Sequence, residues 1–105
     1  MNKSKQIGTD GESGVVRFLK ENGFPTAERR ALHGSLDLGD ITGIPGVVIE
    51  VKSGNAARNA SMGTIDKWVQ ESLTECKNAG ADIWFLVVQR YAYGPARAGN
   101  WRCIM

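Results

Sequence analysis

Three residues near the middle of the chain have the types and spacing for metal-assisted chemistry. Glu50 and Lys52 stand one residue apart in Val47-Val48-Ile49-Glu50-Val51-Lys52. That run is rich in β-branched residues and predicts a strand. Residues two apart on a strand point to one face, so Glu50 and Lys52 project together while Ile49 and Val51 project to the other. An apolar strand has no ordinary use for an acid and a base on one face. Asp40 lies on the preceding segment, linked through the turn Gly43-Ile44-Pro45-Gly46, and across a strand pair it can meet Glu50. Two carboxylates then converge beside an ammonium. Mg²⁺ takes hard oxygen ligands, commonly one or two carboxylates with waters and substrate phosphate oxygens. Such a site can polarise a phosphodiester and lower the pKa of a bound water. Lys52 can hold that water or face the charge on the phosphate, and no covalent nucleophile is required.

Other candidates surround these three. Glu12 sits at the end of an apolar helical stripe, from which it can approach the metal directly or through water. Asp37 is a further carboxylate that can substitute for Asp40 or simply be solvated. Arg29 and Arg30 suit bidentate phosphate contacts, or keep an exposed strand edge soluble. Ser35 can bond a phosphate, orient a metal ligand or serve a turn, and His33, the only histidine, suits a turn or phosphate contact ahead of a general-base role. Arg58 lies in a polar loop, and Gln70 lies beside the apolar stripe of a helix from which it can approach the site. With Arg29, Arg30 and Ser35, these two complete the candidate nucleic-acid contacts. Trp68 and Trp84 read as core. Tyr91, Tyr93 and Trp101 fit either a dimer interface or stacking beside a branched strand.

The positioning elements follow from periodicity. Thr9-Asp10-Gly11-Glu12 has the form of a capping box, which predicts a helix from about Asp10 to Asn22 with Thr9 as N-cap and Gly23 as the stop. Glu12, Val15, Val16 and Leu19 share one face of it. A first strand is expected within Thr26–Leu32, a turn at His33-Gly34-Ser35, and a second short strand within Leu38–Thr42. Val47–Lys52 is the third strand, and Ser53–Ala60 is a polar loop. A second helix is expected over Ser61–Ala79, with Ile65, Trp68, Val69, Leu73 and Cys76 as its apolar stripe and Gly80 as its end. Ile83–Val88 is continuously apolar, as in a central strand buried on both faces. A last strand is expected from near Trp101. The order α-β-β-β-α-β, with a final β, predicts a mixed α/β domain with helices on a central sheet.

Composition sets the outer limits. The chain has 105 residues, 42% of them hydrophobic and 23% charged, which fits one small globular domain with a thin core. Oligomerisation is a natural way for it to add buried area. No apolar stretch approaches a membrane span. The polar N-terminus has no apolar segment behind it, as a signal peptide would. Cys76 and Cys103 are too few for a disulfide framework, and one histidine argues against Cys-His zinc sites. A reducing, cytoplasmic setting is expected. The net charge of +2 is too mild to prove nucleic-acid binding. Its distribution is more informative: the chain is free of acids from Ile83 onward but carries Arg90, Arg97 and Arg102, while Ala31–Val51 holds acids and no Lys or Arg.

With these residues in place, the chain resembles the PD-(D/E)XK nuclease superfamily, and within it the small Holliday-junction resolvases of archaea and phages. The motif's Asp falls on Asp40, its Glu-x-Lys on Glu50-Val51-Lys52, and the family's first-helix glutamate on Glu12; the likeness runs from Thr9 to Val88. The basic segment and Gly-Ser before the Asp fall on Arg29 to Ser35. Gly39 stands where the motif usually has Pro, and the Asp40-to-Glu50 gap is short. The resemblance implies a restriction-endonuclease-like core in a single domain over residues 1–105. It implies Mg²⁺, with Mn²⁺ as a substitute, held by Asp40, Glu50 and the Val51 backbone carbonyl, with Glu12 as a further ligand. It also implies a homodimer that cuts branched DNA and leaves a 5′-phosphate. The chain ends at or just after its last strand, as a truncated or minimal member would. Two other readings keep the fold: a flap, nick or single-strand nuclease of repair or replication, and a non-catalytic nucleic-acid-binding module.

Overall fold

A computed structural model describes residues 3–31 and 38–105. The expected His33–Ser35 turn, with Asp37 and the Leu32 end of the first strand, lies outside them. Helix α1 (Lys3–Glu21) is followed by strands β1 (Glu28–Arg29), β2 (Ile41–Thr42) and β3 (Val47–Lys52). A single-turn helix α2 (Asn55–Arg58) and the long helix α3 (Met62–Ala79) lead to β4 (Ile83–Val88). A 3₁₀ segment (Pro95–Asn100) and β5 (Arg102–Ile104) complete the chain. The five strands form one mixed sheet in the order β1-β2-β3-β4-β5. Only β3 and β4 are parallel, with Glu50 opposite Leu86 and Lys52 opposite Val88. This is an α/β protein with helices on both faces of a central sheet. Among the described residues, no helix is long and apolar enough to cross a membrane.

The alternation of β3 and β4 divides the core. Ile49 and Val51 pack with Val15 of α1 and with Trp101. Leu86 and Val88 pack with Ile65 of α3, and with Trp68 and Trp84 at the margin. The same alternation turns Glu50 and Lys52 toward α3, which crosses over between the parallel strands.

Several expected boundaries are corrected. Helix α1 begins seven residues before Asp10, so Thr9 lies inside it and caps nothing. The two polar side chains of the apparent capping box are used across the fold instead: Arg29 donates to Glu12 Oε1 at 3.1 Å and to Thr9 Oγ1 at 3.4 Å. The helix closes at Gly23, whose φ of +101° lets the Phe24 N–H return to the Leu19 carbonyl at 3.0 Å, a Schellman close. The Ser53–Ala60 loop contains α2. Helix α3 starts at Met62 because the Ser61 side chain caps it, accepting from the Thr64 N–H. Leu73 leaves the expected stripe and is 42% exposed; Ser72 and Glu75 take the buried positions instead. Strand β4 is not covered throughout: Ile83 is half exposed. Ile83, Phe85 and Val87 line an open apolar cleft of about 460 Å³ bounded by Phe18, Phe24 and Ala98.

Helix α1 is held to the 3₁₀ segment by close backbone approach. A Cβ on Gly14 would lie 2.4 Å from the Pro95 carbonyl oxygen, whereas one on Gly8 would meet nothing within 4 Å. Both glycines are helical, so alanine at either gains about 0.5–1 kcal/mol of helix propensity. At Gly14 that gain is outweighed by overpacking against main chain, which costs about 1–3 kcal/mol. Chemical denaturation of the two variants should therefore diverge, with Gly8→Ala more stable than the parent and Gly14→Ala less stable.

Candidate active site

Asp40 stands just before β2, at the point where that strand meets β3. Its N–H donates to the Ile49 carbonyl at 2.9 Å, and its own carbonyl accepts from the Arg30 N–H at 2.8 Å. The chain is thus fixed on both sides of the side chain. The Asp40 carboxyl turns along β3, where Oδ2 accepts the Val51 N–H at 2.8 Å. Gly39, with φ +92°, makes the approach possible; a Cβ there would lie 2.9 Å from a Val48 methyl.

The Asp40 and Glu50 carboxyls are hydrogen-bonded to each other. Asp40 is pushed up to about 8, first by burial and then by the Glu50 carboxylate beside it, against the Val51 N–H and the Lys52 charge. Glu50, 6% exposed, also rises to about 8, chiefly by burial; the Asp40 hydrogen bond opposes the rise and the Glu75 carboxyl adds to it. Asp40 is the hydrogen-bond donor to Glu50, and both carboxyls keep their protons up to about pH 8. Glu12 reaches Asp40 from the α1 side. Its carboxyl is raised by burial and by Asp40, with Arg29 opposing.

Lys52 turns to α3. Its Nζ lies 3.3 Å from Glu71 Oε2 and 5.4 Å from the centroid of the Trp68 ring. Glu71 and Glu75 are one helical turn apart, so α3 presents a carboxylate to each polar side chain of β3. Sequence reasoning missed both. A signal was available: Ile65, Ser72 and Glu75 are spaced for one helix face, and a strand showing Glu and Lys on one side requires polar neighbours opposite.

The structure brings together Glu12, Asp40, Glu50 and Lys52, with Arg29 at the edge. Arg29 is engaged by Glu12 while its side chain remains exposed. Arg30 points elsewhere and lines a polar cleft with Gly43–Val48 and Ala79–Ala81. Arg58 lies beyond the end of β3, its guanidinium bonded to Asn55 Oδ1. Gln70 is exposed on α3, lining a shallow cleft with Lys67, Glu71 and Glu75. Ser35 lies outside the described residues.

Among the described residues, no three His, Cys, Asp or Glu side chains form a ready metal cage. The donor set nevertheless fits Mg²⁺, which commonly takes one or two protein carboxylates and keeps its waters. Asp40 and Glu50 are adjacent oxygen donors whose environment resists two negative charges, the situation a cation relieves. An extended residue sends its N–H and C=O toward the same neighbouring strand. The Val51 carbonyl therefore faces the Asp40 edge, as its N–H does. Comparison with family models, with curated proteins and with solved structures finds no match to this chain.

Proposed function

We propose that this chain is a Mg²⁺-dependent DNA endonuclease with a restriction-endonuclease-like core, acting as a homodimer on branched DNA such as a four-way junction. The carrying observation is the contact between the carboxyls of Asp40, just before β2, and Glu50 on β3, with Lys52 on the face of β3 that Glu50 occupies. Asp40, Glu50 and the Val51 carbonyl would hold the ion, with Glu12 behind Asp40. Bound there, Mg²⁺ would supply Lewis acidity toward a phosphate oxygen and lower the pKa of a water so that it ionises to a hydroxide nucleophile. The protein's own residues do the rest. Asp40 and Glu50 would each give up the proton held in the metal-free protein in order to act as ligands. Glu71 and Trp68 fix the Lys52 ammonium, which faces the charge that builds on the phosphate. The Arg29–Glu12 pair ties α1 to β1 and keeps Glu12 beside Asp40.

The test is cleavage of a labelled four-way junction against linear duplex, flap and single strand, in Mg²⁺ and in Mn²⁺, with Lys52→Ala as control. Paired symmetrical nicks on the junction, absent in the variant, are the expected result. Cutting of another substrate keeps the chemistry and moves the biology to repair or replication. Junction binding without cutting would overturn the enzymatic reading in favour of a binding module.

A further inference from the structure

The three aromatic residues of the C-terminal segment have different fates. Trp101 is buried, and its indole N–H donates to the Tyr93 carbonyl at 2.8 Å. Tyr93 is half-buried under the Arg90 guanidinium, 5.3 Å from its ring centroid. Tyr91 alone stands out, 71% exposed. One neighbour lies against it: the Arg58 guanidinium of α2, 5.9 Å from the ring centroid. Arg58 is itself held by Asn55.

The turn that presents Tyr91 is rigidly specified. The Tyr93 N–H closes onto the Arg90 carbonyl at 3.3 Å. Ala92 has φ +70° and is the one non-glycine with positive φ among the described residues. Alanine has no polar side chain to compensate for that conformation, and strain of this kind persists only where surroundings enforce it. The enforcing residue is Gln89, 5% exposed. Its N–H donates to the Lys52 carbonyl at 3.0 Å. Its side-chain oxygen accepts the Gly54 N–H at 2.8 Å, and its amide nitrogen donates to the Tyr93 carbonyl at 3.1 Å. Gln89 therefore fastens the Tyr91 turn, the start of α2 and the end of β3 to one another. Tyr91 follows it by two residues, a span of at most about 7 Å, beyond the carboxyl ends of the parallel strands, where open α/β sheets bind ligands.

Resting on the nuclease reading, we propose that Tyr91, backed by Arg58, is a stacking platform for an unpaired nucleobase of the DNA strand held at the carboxylates. An exposed ring with a guanidinium against it matches the aromatic-plus-arginine chemistry of single-strand recognition. The segment from Ile83 onward contains no acid to repel the phosphates on either side of that base. Bases inside an intact duplex are already stacked, so the platform selects strands with a free or frayed base. It makes selectivity for branched DNA a property of one side chain.

The test uses the full chain in EDTA, so that binding is read without cleavage. Fluorescence anisotropy gives Kd for a four-way junction with an unpaired base at its centre, a single strand and a blunt duplex. A 2-aminopurine in the unpaired position reports stacking. Tyr91→Ala should weaken single-strand and junction binding by roughly 5- to 100-fold, lose the 2-aminopurine quench and leave duplex binding within about 2-fold. Tyr91→Phe should retain the parent behaviour. Unchanged binding to all three DNAs, or equal loss on all three, would overturn the platform while leaving the nuclease reading intact. Absence of DNA binding by the parent protein would overturn both.

Discussion

Glu50→Gln should reduce metal-dependent cleavage by about 10³-fold or more and change metal-free DNA binding by less than about 3-fold. The amide keeps the shape of a side chain that touches Asp40 on one side and Glu75 on the other. It removes the charge on which cation binding depends, and losses of this size accompany removal of one charge-stabilising group from a reaction centre. The variant should also fold at least as well as the parent, because a buried acid pressed by the Glu75 carboxyl is replaced by a neutral donor and acceptor. Single-turnover cleavage with thermal melting on the same preparation checks both halves. Cleavage within tenfold of the parent, with an intact fold, would remove Glu50 from the chemistry.

Stability of the metal-free protein should fall as pH rises from about 4.5 to about 8. Asp40 and Glu50 are raised in the folded state from 3.8 and 4.5 to about 8. Across that window the folded protein holds protons that the unfolded chain has released, so raising the pH favours unfolding. Each proton retained corresponds to about 1.4 kcal/mol per pH unit. Glu12 shifts in the same direction. A divalent cation that replaces the protons should reverse the trend, raising Tm at pH 8 far more than at pH 5.5. Asp40→Asn and Glu50→Gln should each flatten the pH profile and reduce the rescue by Mg²⁺. A metal-free Tm that stays level or climbs between pH 5.5 and 8 would show that the carboxyl cluster does not hold its protons.

The part of this geometry that was legible rests on period two. A β-branched run carrying Glu and Lys two apart places both on one face, and a tight glycine-proline turn sets Asp40 against the same strand. The rest escaped for specific reasons. Thr9 and Glu12 imitate a helix start, because the spacing that makes a capping box also puts two polar groups one turn apart on a helix. Only Arg29, seventeen residues beyond Glu12, distinguishes the two uses. Leu73 and Cys76 gave α3 an apolar stripe that the fold rotates away from, since the sheet face it covers carries an acid and an ammonium. Burying Ser72 and Glu75 there satisfies the strand rather than the helix. Gln89 gave no signal, because Gly54, which its side chain accepts from, stands 35 residues before it in the chain.

The margins of the sheet bear on how the molecule behaves in a crowded solution. A long bare edge invites a stranger's strand and, with it, aggregation. Here β1 is two residues long with both side chains exposed and charged, and β5 is three residues long and begins at an exposed arginine. Neither border gives a foreign backbone a template of useful length. Copies of this chain therefore have little means of joining by adding strand to strand, which leaves helix and sheet faces as the surfaces through which a discrete assembly can form.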